Sequence, residues 1–140
     1  MTTVAADHRS RIIVSDSKCT SGSVWSPTTK LWRHGRDLIG VAGDMRFARR
    51  WLDWYMKGKK GPVPKLEDFE AIVLRDDGVY HIPTSGYEHR EEQGFFAIGS
   101  GQQAAMAVLK LGLGAEKAVE IACQIDVDSG GDLQILRLDD

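Results

Sequence analysis

The chain has 140 residues, 42% hydrophobic and 27% charged, with a formal net charge of −2. That length supports one domain with a substantial core, expected to span residues 1–140, and the composition is that of a soluble globular protein. The weak negative charge offers no phosphate-binding surface, which argues against nucleic acid, and no stretch approaches the ~20 apolar residues of a membrane span.

In chain order, residues 2–6 (TTVAA) read as a short strand and residues 11–15 (RIIVS) as a second, joined by a polar turn into a hairpin. Asp7, His8 and Arg9 stand where a secretory signal would carry its apolar core, so the cytoplasm is the expected compartment. Residues 16–27 (DSKCTSGSVWSP) are rich in Ser, Gly and Thr and read as a loop. Two strands follow at 30–33 and 37–42. Asp44 is a good N-cap for a helix running to residue 56, on which Met45, Ala48, Leu52 and Tyr55 share a face. Phe47, Trp51 and Trp54 repeat that spacing and widen the apolar side.

Residues 57–64 (KGKKGPVP) form a basic connector. Asp76-Asp77-Gly78 marks a hairpin between strands at 69–75 and 78–82, and the charged segment 84–93 reads as a solvated loop. Residues 94–99 (GFFAIG) form an apolar strand. Two helices come next, one carrying Ala104, Ala105, Val108 and Leu109 and one at 115–125, separated by the break LGLG. A loop, DVDSGG, leads to a final strand at 133–138. Antiparallel strands with helices gathered between them, and no βαβ alternation, indicate an α+β protein.

Cys19 and Cys123 match no metal or redox spacing and read as free thiols; the four histidines have no ligand spacing, so no metal is expected. There is no phosphate loop, and no cofactor is expected.

Six separated motifs converge: TTVAAD at 2–7, SDSK at 15–18, TTKLWR at 28–33, IGVAGD at 39–44, AIGSG at 97–101 and DVDSGG at 126–131. In this order the chain resembles the N-terminal-threonine peptidases of the proteasome β-subunit family, nearest the bacterial HslV branch. The resemblance implies an Ntn-hydrolase fold: a four-layer αββα sandwich of two antiparallel sheets. It implies a threonine endopeptidase whose nucleophile, Thr2, becomes the first residue once Met1 is removed. A threonine hydroxyl needs a base. The α-amine of the same residue, with an ordinary pKa of about 7.7–8.0, can supply it.

The resemblance further assigns Lys30 as the buried cation near that amine and Asp16 as its partner. Gly40 is expected to supply an N–H to the developing oxyanion. Ser100, Asp126 and Ser129 are expected around the amino terminus, with Ser100 also a candidate cap for the following helix. Lys18 is a decoy for the lysine role, placed in the loop. Cys19, Thr20 and Met45 are the expected substrate-binding residues. The partners implied are a peptide or unfolded protein, further copies of the chain in a homo-oligomer, and a separate ATP-dependent unfoldase. The chain departs from the family in keeping a single helix between its IGVAGD strand and the next hairpin, a reduced first helical layer that puts a standard ring and unfoldase docking in question. Two other readings stay open: a catalytically silent scaffold subunit, and an Ntn amidohydrolase acting on a small amide.

Overall fold

The computed structural model describes residues 2–140, and element counts refer to these; the removal of Met1 concerns a residue outside them. The chain runs β1 (Thr3–Asp7), β2 (Ile12–Ser15), β3 (Lys18–Ser21), β4 (Val24–Pro27), β5 (Leu31–His34), β6 (Asp37–Gly43) and α1 (Met45–Met56). It continues through β7 (Phe69–Arg75), β8 (Gly78–Ile82), β9 (His89–Arg90), β10 (Phe95–Gly99), α2 (Gln102–Lys110), α3 (Ala115–Ile125) and β11 (Gln134–Arg137).

The strands form a four-stranded sheet in the order β10-β1-β2-β11, a five-stranded sheet β5-β6-β7-β8-β9 and a separate ribbon β3-β4. Every pairing is antiparallel. Alternation along each strand sends side chains to opposite faces, and the sequence exploits it twice. Val4, Ala6, Ile13, Leu38, Ile72 and Leu74 meet between the two main sheets. Ala5, Ile12 and Val14 pack under α2 and α3, while Ile39, Val41, Ala71 and Val73 pack under α1 against Trp51, Leu52 and Tyr55. The layers are therefore helix, sheet, sheet, helix, the αββα sandwich of the Ntn-hydrolase fold, with α1 as the sole helix of its layer among the described residues.

The Asp44 carboxylate accepts from Arg46 N at 2.9 Å and caps α1. No described helix is long and apolar enough to cross a membrane.

Three local expectations are corrected. Segment 16–27 is mostly the β3–β4 hairpin, whose second strand is exposed throughout, and Lys18 lies on its first strand. The segment at 84–93 contains the two-residue β9. Ser100 does not cap α2: Gly101 is the N-cap, without a side-chain bond, because the Ser100 hydroxyl is engaged elsewhere.

Candidate active site

The site grows from the start of β1. Val4 and Ala6 face the sheet–sheet core. By the same alternation Thr3 points the other way, toward α3, where its Oγ1 lies 2.7 Å from Ser129 Oγ. Thr2, one residue earlier, returns to the sheet–sheet side. There it lines a cleft of about 370 Å³ together with Lys18, Thr28, Lys30, Gly43 and Asp128. Thr2 is buried, at 7% exposure.

Beneath the cleft lies a buried ion pair, Lys30 Nζ to Asp16 Oδ1 at 2.9 Å, with the side chains 3% and 0% exposed. Burying two charges is costly unless their remaining bonding capacity is met. Here it is met on both sides. Asp16 Oδ1 also accepts from Thr3 N at 3.1 Å, and its Oδ2 accepts from Gly130 N at 3.0 Å and Lys18 N at 3.4 Å. Lys30 Nζ also donates to the Lys18 carbonyl at 2.6 Å. Burial pushes the Lys30 pKa down, opposed by its bond to Asp16. Lys30 stands just before β5, and its backbone N–H donates to Gln134 Oε1 of β11 at 2.9 Å, which ties the two sheets at this corner.

A second network closes the site behind Thr2. Ser100 Oγ and Ser129 Oγ both donate to Asp126 Oδ2, at 2.5 and 2.7 Å. Since Ser129 spends its proton there, it must accept from Thr3 Oγ1. Ser100 Oγ also lies 3.4 Å from the Thr2 carbonyl. Burial pushes the Asp126 carboxyl up, but the two hydroxyls and the Asp128 N–H together hold it below its ordinary value.

The structure thus brings Thr2, Asp16, Lys30, Ser100, Asp126 and Ser129 to one corner of the sandwich. Cys19, Thr20 and Met45 line the same cleft as Thr2. Cys123, on α3, is a free thiol whose pKa burial pushes up to about 11.

Gly40 is the exception. It sits in mid-sheet between Leu31 and Ile72, and a Cβ there would meet Val4 Cγ1 at 2.5 Å. Its lack of a side chain serves close packing of the two sheets, and it does not line the cleft. The glycine at the cleft is Gly43, three residues on, at the end of β6. Its φ of +103° favours glycine, and a Cβ would collide with the Asp68 carbonyl. Sequence reasoning missed Gly43, although it stands in the same IGVAGD motif, directly before the helix cap. Gly130 and the Lys18 carbonyl were missed as well; they act through backbone atoms, which no residue type announces.

Among the described residues no group of three or more His, Cys, Asp or Glu side chains could hold a metal ion.

The chain matches no family model and no curated protein sequence. Among solved structures it is similar to eukaryotic HslV from Trypanosoma brucei, at 22% identity and a TM-score of 0.72 over 97% of this chain and 99% of that one. It is equally similar in shape to BPH of Thiobacillus denitrificans in complex with epoxomicin, at 15% identity and a TM-score of 0.72 over 98% and 99% of the two chains. A second structure of that BPH gives 14% identity and a TM-score of 0.68 over 98% and 97%. The αββα arrangement is therefore the fold of HslV and BPH along nearly the whole chain.

Proposed function

We propose that the chain is a threonine endopeptidase subunit that cleaves peptides or unfolded protein in the cytosol, with Thr2 exposed as the first residue by removal of Met1. The observation that carries this reading is the position of Thr2, in one cleft with the buried Lys30–Asp16 pair. The shared fold with HslV and with the epoxomicin-bound BPH supports it.

In the mechanism, Thr2 Oγ1 attacks the scissile carbonyl carbon while its proton passes to the α-amine of the same residue. The positive charge of Lys30 favours the neutral amine that this step requires. Negative charge grows on the carbonyl oxygen, and the N–H of Gly43 is the donor suited to it, since Gly43 lines the cleft and Gly40 does not. Collapse breaks the C–N bond, the α-amine gives its proton to the leaving nitrogen, and the acyl group stays on Thr2 as an ester. Water then attacks that ester with the amine as base again and releases the acid. Asp16 holds Lys30 in place, and the Ser100–Asp126–Ser129 network orients the Thr2 backbone. Cys19, Thr20 and Met45 bound the space for a substrate side chain.

The same reading includes a homo-oligomer, with any ATP-dependent unfoldase a separate chain. Trp25 and Val127 are exposed apolar side chains near Lys18 at the cleft, and Val24 is exposed at the turn end of the β3–β4 ribbon, a surface suited to association; light scattering would read the assembly mass.

The deciding experiment is the intact mass of the purified protein before and after incubation with a Thr-directed peptide epoxyketone. The expected result is a mass lacking Met1 and a single adduct on Thr2, with Thr2→Ala abolishing both adduct and amide hydrolysis in a folded protein. Retained Met1 without an adduct would overturn the reading and leave a scaffold subunit; a Thr2→Ala protein that cleaves at the original rate would overturn Thr2 as the nucleophile.

A further inference from the structure

A second compartment of about 360 Å³ adjoins the cleft at Gly43, which lines both; Asp68, Phe69, Glu70, Pro83, Ser100 and Gln102 are among its other lining residues. The two compartments differ in charge. Lys18, Lys30 and Asp128 line the Thr2 side. The second side is lined by Asp68 and Glu70, and no Lys, Arg or His is among its described lining residues.

Glu70 is also held in place. Its Oε2 accepts from His81 Nε2 across the β7–β8 ladder at 2.9 Å. The His81 ring is itself fixed, lying on Phe96 with centroids 4.5 Å apart and with Nδ1 4.0 Å from Glu91 Oε1. The second oxygen of Glu70, Oε1, has no protein partner among the described residues, and the side chain is 34% exposed. One oxygen anchored and one open makes a preset acceptor for a cationic group. Phe69 and Pro83 provide an apolar wall for the aliphatic stem that such a group would carry.

The chemistry orients a substrate across the two compartments. The α-amine of Thr2 must hand its proton to the leaving nitrogen, so the leaving segment departs along the backbone side of Thr2. Ser100 Oγ lies 3.4 Å from the Thr2 carbonyl and Ser100 lines the second compartment, which puts that compartment beside the Thr2 backbone. We propose that Glu70 selects a lysine or arginine immediately after the scissile bond. The inference rests on the peptidase reading and deepens it.

The test uses internally quenched peptides that differ only in the residue after the scissile bond: Lys, Ala or Glu. The wild-type protein is expected to favour Lys over Ala by about tenfold in kcat/KM, the size of one charge-assisted hydrogen bond, with Glu the poorest. Glu70→Gln keeps the shape and the His81 contact and is expected to bring the Lys/Ala ratio close to one. Equal turnover of the Lys and Ala peptides, or a ratio unchanged by Glu70→Gln, overturns the proposal. A second measurement separates it from the peptidase reading: binding of the same labelled peptides to the Thr2→Ala protein, with and without Glu70→Gln, by fluorescence anisotropy. Glu70-dependent preference for the Lys peptide, in a protein whose wild-type form hydrolyses nothing, would remove the peptidase reading and keep the cation site. Hydrolysis with no Glu70-dependent preference in either assay would do the reverse.

Discussion

Asp16 accepts four hydrogen bonds through one fully buried carboxylate, and this saturation is what lets Lys30 sit beside it out of water. Removing the cation leaves an uncompensated charge. Lys30→Met is therefore expected to destabilise the fold by about 3–5 kcal/mol and to stop turnover, read together by urea unfolding and peptide hydrolysis; a stable, inactive variant would assign Lys30 to chemistry alone. The two glycines of IGVAGD separate the same way. Gly40→Ala overpacks the space beside Val4 and is expected to cost about 1–3 kcal/mol while leaving kcat near its original value. Gly43→Ala forces a left-handed backbone and a collision with Asp68 at the cleft, so turnover is expected to fall far more than in Gly40→Ala. The reverse pattern would return the oxyanion role to Gly40.

At the scale of elements, what was legible followed from period. The alternation of β1, β6 and β7 and the helical spacing of Ala48, Trp51, Leu52 and Tyr55 each name a buried face, and each face is buried as its period requires. The β3–β4 ribbon was not legible. Ser, Gly and Thr dominate it, its second strand buries nothing, and a strand that packs against no core carries no hydrophobic alternation to read. The candidate site was legible only in part, for a related reason. Side chains such as Lys30 and Asp16 stand out in a motif, whereas the N–H of Gly130 and the carbonyl of Lys18 reach them through long-range folding. Ser100 was open to two readings because a serine before a helix can cap it; only the position of Asp126, at the C-cap of α3, decides. Two-stranded ribbons are marginal alone. Amide exchange is accordingly expected to be fast in β3 and β4 of the isolated chain and slow in β1 and β7, and strong protection of the ribbon would show that another chain covers it.

Across the whole molecule, the α1 layer depends on a single helix, and charged side chains lock that helix to the sheet beneath it. Tyr55 donates to Asp37 on β6 at 2.5 Å and accepts from Arg75 on β7 at 2.7 Å. Arg75 pairs in turn with Glu88, which also holds Lys59 from the connector after α1. The Arg75 guanidinium, and after it Lys59, hold the Glu88 carboxyl at about 2 against a value of 4.5 for a free glutamate, in spite of partial burial. A carboxyl depressed in the folded state stabilises it above the unfolded pKa, and the contribution is lost as pH falls through the folded one. The window here runs from about 4.5 down to about 2. Arg36 and Arg11 likewise hold Asp76 below the usual carboxylate range at the turn between β7 and β8, so acid is expected to loosen that end of the five-stranded sheet as well. Glu88→Gln isolates the share of the α1 clamp. Its urea midpoint should lie below that of the wild type at pH 7, and the gap should close as both are titrated toward pH 2. A gap that stays constant with pH would mean that Glu88 acts through packing, and that the helix layer is held by Trp51, Leu52 and Tyr55 without help from charge.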